Sequence, residues 1–281
     1  MKLKVLIIIF NAVLLTLFFT ALSFSFFTAD IEFIGSFSKN YWVFVLLFLI
    51  LLVGTNLFFI SNWKLISTLE AEDWPALSLY LETEIFQKRH LTAKKVRLLC
   101  EISILLGDFE ILKRLERVLQ DDKPEYMSTF ASRFAAAKLL SSDYEGLADF
   151  MAHIVEQSYE ASPWIAFYDA FSAQMLKRKR EAMEKFSHIL DTEHDPLVRL
   201  LSVYFIASGL YHYSDVQKDT VDNRIDAEKE KLKKYSLHYW EKYVQKEKQD
   251  IHVLVLTKVI DDALVWLFQE DELPEQPSET L

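Results

Sequence analysis

Two long stretches near the N-terminus carry no charged side chain, and they constrain the fold more than any other feature of the sequence. Val5–Phe27 and Tyr41–Trp63 each extend over 23 residues. A helix rises about 1.5 Å per residue, so roughly 20 residues cross the hydrocarbon core of a bilayer. A soluble protein would need a very large core to bury two such runs. The sequence therefore predicts transmembrane helices at about 5–27 and 41–63, within a membrane anchor over residues 1–64.

The few charges around these runs predict how the anchor is oriented. Lys2 and Lys4 precede the first run and Lys64 follows the second, whereas the connecting loop contains Asp30 and Glu32. Because positively charged flanks stay in the cytoplasm, the large domain after the anchor is predicted to be cytoplasmic, at the inner or plasma membrane. Two alternatives remain, a cleaved signal peptide in the first run and a reversed hairpin. Only the reversed hairpin would place the domain outside.

The rest of the chain is acidic and poor in glycine. The whole chain has a net charge of −10, and residues 1–63 carry +1, so residues 64–281 carry −11. Such a domain predicts no nucleic-acid partner, and its overall charge disfavours an anionic lipid surface. The chain has only five glycines and one cysteine, Cys100, which favours helices with short loops and excludes an internal disulfide. The predicted fold class is all-α.

A period of 35 residues follows the anchor. Acid–aromatic pairs recur at this spacing: Asp73-Trp74, Asp108-Phe109 and Asp143-Tyr144. Apolar residues follow at the same spacing, namely Leu77, Leu112, Leu147 and Ala182. Small residues precede the pairs, again 35 apart, at Cys100, Ala135 and Ala170. Aspartate at the start of an amphipathic run is a favourable helix N-cap. Each unit is therefore predicted to be a pair of antiparallel helices that buries its apolar face by stacking on its neighbours.

The turn of each unit resembles the centre of a tetratricopeptide repeat. The stretch Leu99–Glu110 includes the Gly-Asp-aromatic-Glu turn, and Ser141–Glu145 and Lys179–Phe186 are similar to the same region. Repeats of that family have about 34 residues. The resemblance extends over about residues 65–213 and implies an α-solenoid of helical hairpins with a concave face for a peptide or a neighbouring subunit. A generic helical-hairpin solenoid is the alternative.

The chain after residue 213 departs from the repeat pattern. Residues 214–269 are predicted to form a charged helix, Asp215–Gln249, and an amphipathic capping helix, Ile251–Phe268. The acidic residues 270–281 contain two prolines and are predicted to be a disordered tail.

No catalytic motif is present, so the sequence predicts no enzyme activity, no catalytic residue, no cofactor and no metal site. A P-loop, a dinucleotide fingerprint, a His-Glu-x-x-His pair and a Gly-x-Ser-x-Gly elbow are all missing. Cys100 occupies a small-residue position, which favours packing over nucleophilic chemistry. His153 and His188 are 35 residues apart and so occupy equivalent repeat positions. An active site or metal pair would require them to converge with carboxylates.

The predicted function is a membrane-anchored protein–protein interaction scaffold, whose partner is a soluble or a membrane protein. The oligomeric state is left open. The alternatives are a periplasmic structural subunit of an envelope machine and, less favoured, a membrane enzyme subunit. Candidate binding residues lie on the first helices of the hairpins and on a basic turn that suits an acidic peptide or lipid head groups: Arg97, Glu101, Arg133, Lys138, Lys177, Arg178, Lys179 and Arg180.

Overall fold

The computed structural model describes residues 3–28, 42–157, 162–213 and 218–269, and every regular element within these ranges is helical. The predicted all-α class is confirmed. The π-helical turn Thr83–Gln87 extends α4, and Leu210–Tyr213 is a 3₁₀ helix. In chain order the α-helices are α1 Leu3–Thr28, α2 Trp42–Ser61, α3 Trp63–Glu70, α4 Trp74–Glu82, α5 Ala93–Leu106, α6 Phe109–Asp122, α7 Glu125–Leu140, α8 Tyr144–Gln157, α9 Pro163–Met175, α10 Lys179–Thr192, α11 Pro196–Ala207, α12 Lys218–Lys233, α13 Leu237–Glu247, α14 Ile251–Val255 and α15 Thr257–Phe268.

The chain divides into two compact units, Met1–Gln87 and Lys88–Leu281. The first contains α1 to α4, and the second contains α5 to α15. The domain boundaries drawn from the sequence follow composition, and they stay predictions. The predicted tail, 270–281, and residues 29–41 of the predicted connecting loop lie outside the described residues.

In the first unit, α1 and α2 form an antiparallel pair. The side-chain amides of Asn11 and Asn56 bond reciprocally, with N···O distances of 3.3 and 2.9 Å. Farther along α1 the ring of Phe18 stacks on that of Phe48, with centroids 4.2 Å apart. A later residue of α1 thus meets an earlier residue of α2, which is the pairing of a hairpin.

Large apolar side chains cover the outside of this pair. The most exposed, at 60% to 71%, are Ile8, Leu17, Phe19, Leu47, Ile50, Leu57, Phe58 and Ile60. By length and hydropathy, no single helix of the described residues qualifies as a membrane span. Only Val45–Ser61 and Trp63–Glu70, bent by 64°, qualify together as a broken one. The predicted transmembrane helices therefore stay a prediction.

In the structure, the feature that repeats every 35 residues is the turn between the two helices of a hairpin. Between the two helices of each hairpin one residue adopts a left-handed φ of 52° to 69°; these are Glu72, Gly107, Ser142 and Lys177. The following residue donates its N–H to a carbonyl five residues earlier, as Asp108 does to Ser103 at 2.9 Å. This is the Schellman termination of a helix. The fourth turn keeps it although that unit has lost its acid–aromatic pair.

The aspartates of the period begin the second helices as predicted. The Oδ1 atoms of Asp73, Asp108 and Asp143 each accept a backbone N–H three residues later, at 3.1 to 3.3 Å. The periodic apolar residues Leu77, Leu112, Leu147 and Ala182 are at most 3% exposed. Cap, turn and core positions therefore repeat together.

The second unit is an α-solenoid built from these hairpins. The first helices α5, α7, α9 and α11 pack on one another in order, and α6, α8 and α10 each pack between two of them. An aromatic cluster fills part of the core, where Phe205 lies 5.2 Å from Phe171 and 5.3 Å from Phe186, measured between ring centroids.

The C-terminal helices fold back onto this layer. The sequence predicts one charged helix and one capping helix here. The structure instead has α12 and α13, separated at Lys234–Ser236, followed by α14, which packs on α7, and α15, which packs on α11 and α12. A buried ion pair between Arg199 and Glu228 ties α12 to α11.

Replacing Ser142 with glycine should stabilise the fold. An L-residue in the left-handed region costs about 1–2 kcal/mol, and the entropy of glycine in the unfolded chain offsets part of the gain. We expect Ser142→Gly to raise the free energy of unfolding by about 0.5–1 kcal/mol, measured by urea unfolding of the full chain in mild detergent. Ser141 has a φ of −81° and its hydroxyl donates to the Lys138 carbonyl. Ser141→Gly should therefore destabilise, and equal effects of the two variants would contradict the assignment.

Candidate functional site

Two of the predicted binding residues, Arg97 and Arg133, contact Asp250, the residue before α14, and a third, Glu101, contacts both arginines. Arg97 Nη2 and Arg133 Nη2 donate to Asp250 Oδ1 at 3.0 and 2.5 Å. Arg97 Nε also donates to Glu101 Oε1 at 3.2 Å, and Arg133 Nε lies 3.8 Å from the same oxygen. Two guanidinium groups and two carboxylates therefore form one charge-balanced network.

The contact with the C-terminal helices continues along the first helices. The hydroxyl of Tyr168 on α9 donates to the backbone carbonyl of His252 at 3.0 Å. The ring of Trp164 lies edge-on to the His252 ring, with centroids 5.2 Å apart. Farther on, Tyr204 of α11 meets Trp266 of α15 in the same way at 5.8 Å. We call the surface formed by α5, α7, α9 and α11 around Asp250–Phe268 the groove.

Repeat geometry explains which side chains line the groove. Arg133 and Tyr168 are 35 residues apart, and each precedes a small residue of the period, Ala135 or Ala170, by two positions. Two positions turn a helix by about 200°. The groove therefore lies on the opposite side of α7 and α9 from the small residues.

The groove is filled by the chain's own C-terminal segment. Its inward side chains are fully buried, namely Val253, Leu256, Ile260, Ala263 and Leu267. Burying each of the larger ones contributes roughly 1.5–3 kcal/mol. The residues predicted from the resemblance as partner contacts, Arg97, Glu101 and Arg133, thus make an intramolecular contact in the structure. Their role in binding a separate partner stays a prediction.

His252 is buried in the groove, in the first turn of α14. It is 6% exposed, and neither ring nitrogen has a hydrogen-bond partner. Burial lowers its pKa from 6.5 to about 4; the nearby Asp250 carboxylate raises the pKa and the Arg133 guanidinium lowers it, both by less. His252 is therefore neutral at pH 7.

Lys138, a further predicted contact, belongs to a different surface. Its Nζ lies 3.0 Å from Glu116 Oε2 and 5.3 Å from the centre of the Phe150 ring. These three residues line a cleft of about 620 Å³ that also includes His153. Lys138 is thus held between α6 and α8.

The basic turn between α9 and α10 faces solvent. Lys177, Arg178 and Arg180 are exposed, and Lys179 is half-buried. Arg178 lies 3.8 Å from Glu181, and Arg180 lies 3.9 Å from Glu184. Exposed pairs of this kind are weak. The turn therefore remains accessible to a partner.

The histidines of the enzyme hypothesis line separate clefts. His188 borders a separate cleft of about 500 Å³ between α10, α11 and α12, and His153 lies in the cleft beside Lys138. Within the described ranges no three His, Cys, Asp or Glu side chains are grouped as a metal site. Burial raises the pKa of the Cys100 thiol to about 12, so the thiolate is strongly disfavoured. These observations bring no catalytic group together, and the absence of enzyme activity stays a prediction.

The sequence reading missed Asp250, Trp164, Tyr168 and His252. One signal is present in the sequence: Tyr168 occupies the same repeat position as Arg133, which is a predicted binding residue. Nothing local indicates that residues 250–268 return to this face, because that contact joins residues up to 153 positions apart.

Fold and groove define a helical-repeat protein in which the face formed by the first helices is covered by the chain's own segment Asp250–Phe268. Comparison with known families matches residues 111–269 to the family described as "Uncharacterised Treponema protein". A protein of Treponema pallidum (strain Nichols), described only as "Uncharacterized protein", is 32% identical over 288 residues, which cover 95% of this chain and 88% of that protein. The chain belongs to this Treponema family. No solved structure matches it.

The matched region begins in α6 and ends at Gln269, so it includes the C-terminal helices that fill the groove. The family is not described as a tetratricopeptide-repeat family. The α-solenoid is therefore a finding, and the tetratricopeptide likeness remains a likeness of pattern.

Removing Arg133 should destabilise the fold more than removing Arg97, although both bind the same oxygen of Asp250. The Arg133 side chain is 8% exposed and that of Arg97 is 55% exposed. We expect Arg133→Ala to lower the free energy of unfolding by about 2 kcal/mol or more. Arg97→Ala should lower it by less than about 1 kcal/mol. Urea unfolding in detergent measures both, and equal losses would mean that the buried guanidinium of Arg133 stabilises the fold no more than the exposed one of Arg97 does.

His252 should make the fold less stable in mild acid. Its folded pKa lies below the unfolded value, so between pH 6.5 and about 4 the unfolded chain binds a proton that the folded chain does not. Its contribution is present above pH 6.5 and is lost towards pH 4, by up to about 3 kcal/mol. His252→Leu should flatten the pH dependence of urea unfolding in this window. His238→Leu is the control, because His238 is 87% exposed, and it should leave the dependence unchanged.

Proposed function

We propose that this chain is a membrane-anchored, tetratricopeptide-like scaffold that holds or organises a partner protein at the cytoplasmic face of a membrane. The helices α1 and α2 would be the anchor, and the solenoid would be the interaction domain. The cytoplasmic placement is supported by Lys2, Lys4 and Lys64 at the ends of the hairpin and by the acids of its loop.

The observation that carries the proposal is the exposed apolar surface of the α1–α2 hairpin. Soluble proteins rarely expose contiguous apolar patches of more than a few hundred Å². With 26 and 20 residues, α1 and α2 are about 39 and 30 Å long, and the hydrocarbon core of a bilayer is about 30 Å thick. A bilayer is the solvent that suits this surface.

The polar groups inside the hairpin support the same reading. Asn11 and Asn56 bond to each other, and each amide also donates to a carbonyl of its own helix, Ile7 or Leu52, at 3.0 or 2.8 Å. Polar side chains between membrane helices must be satisfied in this way, because lipid offers no partner. The reciprocal amide pair would fix the register of the hairpin.

For the partner, the most accessible of the predicted residues are those of the basic turn. The groove contains the chain's own helices, and Lys138 is engaged with Glu116. Lys177, Arg178 and Arg180 are exposed on a domain whose overall charge is −11. We therefore propose that Lys177–Arg180 contacts an acidic segment of the partner protein.

An alkaline wash of isolated membranes tests the anchor, and reversing one positive charge of the basic turn tests the partner contact. The full chain should stay in the membrane pellet after an alkaline carbonate wash, and a chain that lacks residues 1–63 should not. A complex purified from these membranes in mild detergent should lose its protein partner in Arg178→Glu. Lys94→Glu, a reversal at an exposed lysine of α5, should keep it.

Two results would contradict the proposal separately. Recovery of the full chain as a monomer in buffer without detergent would rule out the anchor. A complex that survives Arg178→Glu unchanged would show that the partner binds another surface.

A further inference from the structure

Two rows of side chains begin in the short connection Lys234–Ser236 and continue along α13. The first is a ladder of tyrosines four residues apart, Tyr235, Tyr239 and Tyr243, whose rings stack with centroids 4.7 and 5.8 Å apart. Trp240 is fully buried beneath them and lies edge-on to Tyr239 at 6.1 Å. The Tyr243 hydroxyl donates to Asp195 Oδ2 at 3.3 Å, which fixes one end of the ladder. The ladder is therefore held rigidly at the surface.

The second row is basic and precedes the ladder by one position. It consists of Lys234, His238, Lys242 and Lys246, all exposed. One position turns a helix by about 100°, so within α13 the two rows lie side by side. Lys234 and Tyr235 precede the first turn of that helix. Within the part of the chain that the structure describes, Lys234 and Lys242 have no ion-pair partner. We call the two rows together the basic–tyrosine stripe.

The stripe is basic, whereas the domain that contains it is acidic. The domain has a net charge of −11, which on average repels an anionic surface. Tyr235 and Tyr239 are still 40% and 37% exposed, and Leu237 between them is 51% exposed. Charge is screened within about 10 Å at moderate salt, so an approaching surface responds to this stripe more than to the distant acids.

We propose that the basic–tyrosine stripe rests on the anionic head groups of the membrane that holds the anchor. The inference rests on the membrane anchoring proposed above. Tyrosine has an apolar ring and a polar tip, which suits the interface between hydrocarbon and water. Lysine places its charge among phosphates while its methylenes cover apolar surface. Leu237 adds an apolar contact at the same height.

Because the domain is tethered by the anchor, even weak binding of the stripe to lipid is enough to hold it at the membrane. Each lysine near an anionic leaflet strengthens binding on the order of fivefold, which would be marginal for a freely diffusing domain. A tethered domain meets the bilayer at a high effective concentration, so a few such contacts hold it. An acidic protein surface could also pair with the lysines, and it is the competing outcome of the test.

The test places a fluorophore beside the stripe in the full chain. Cys100 is buried and its thiol stays protonated, so labelling is confined to an introduced cysteine. The label goes on Gln245→Cys of α13, and the control label on Gln120→Cys of α6; both glutamines are exposed. The chain is reconstituted into nanodiscs of phosphatidylcholine with or without about one quarter phosphatidylglycerol, which carry a quencher on a lipid head group.

We expect the label at Gln245→Cys to be quenched in anionic discs and much less in neutral ones, and high salt should reverse the difference. Lys234→Gln with Lys242→Gln should weaken this docking on the order of twentyfold, since two lysines are lost. The control label should show no quenching that salt reverses.

Quenching that ignores lipid charge, or that the double lysine variant leaves unchanged, would overturn the proposal. So would loss of a bound protein in that variant with no change in quenching, because the occupant would then be a protein. Failure of the full chain to enter the discs at all would instead overturn the anchor, so the two proposals fail separately.

Discussion

The contact of Asp250 with Arg97 and Arg133 is the interaction on which the second unit depends. It joins the start of α14 to two first helices that are neighbours in the solenoid, and it does so at the edge of a buried apolar contact. An arginine that is 8% exposed would be costly to bury without a carboxylate, so Asp250 makes the position of Arg133 tolerable. The pairing fixes where α14 begins against α5 and α7, and the buried apolar side chains of α14 and α15 complete the contact.

Local features of the fold could be predicted because their causes lie within a few residues. The caps at Asp73, Asp108 and Asp143 need only an aspartate before an amphipathic run, and the 35-residue period identified all three. The left-handed turn at Lys177 was less obvious, because neither glycine nor an acid–aromatic pair marks it. Spacing alone placed that turn in the right unit.

The contents of the groove could not be predicted for the opposite reason. Selecting Arg97, Glu101 and Arg133 required only their position on first helices, and the structure does bring those three together. Their ligand, Asp250, is 153 residues from Arg97, and nothing near Asp250 shows that α14 reverses towards α7. Net charge is also a poor guide to local binding surfaces. A net charge of −11 disfavours an anionic surface on average, but an average says nothing about the basic–tyrosine stripe along α13 and the connection before it.

The return of the C-terminal helices also affects when the domain can become complete. In a repeat solenoid each hairpin contacts only its neighbours, so structure can begin in any hairpin and spread to the next. Here the side chains of α7, α9 and α11 that α14 and α15 cover have nothing of that segment to pack against until it has been synthesised. During synthesis there is therefore a stage at which the helices α5 to α11 are complete and the segment α14–α15, which packs on them, is not. Apolar surface that is exposed at such a stage favours aggregation.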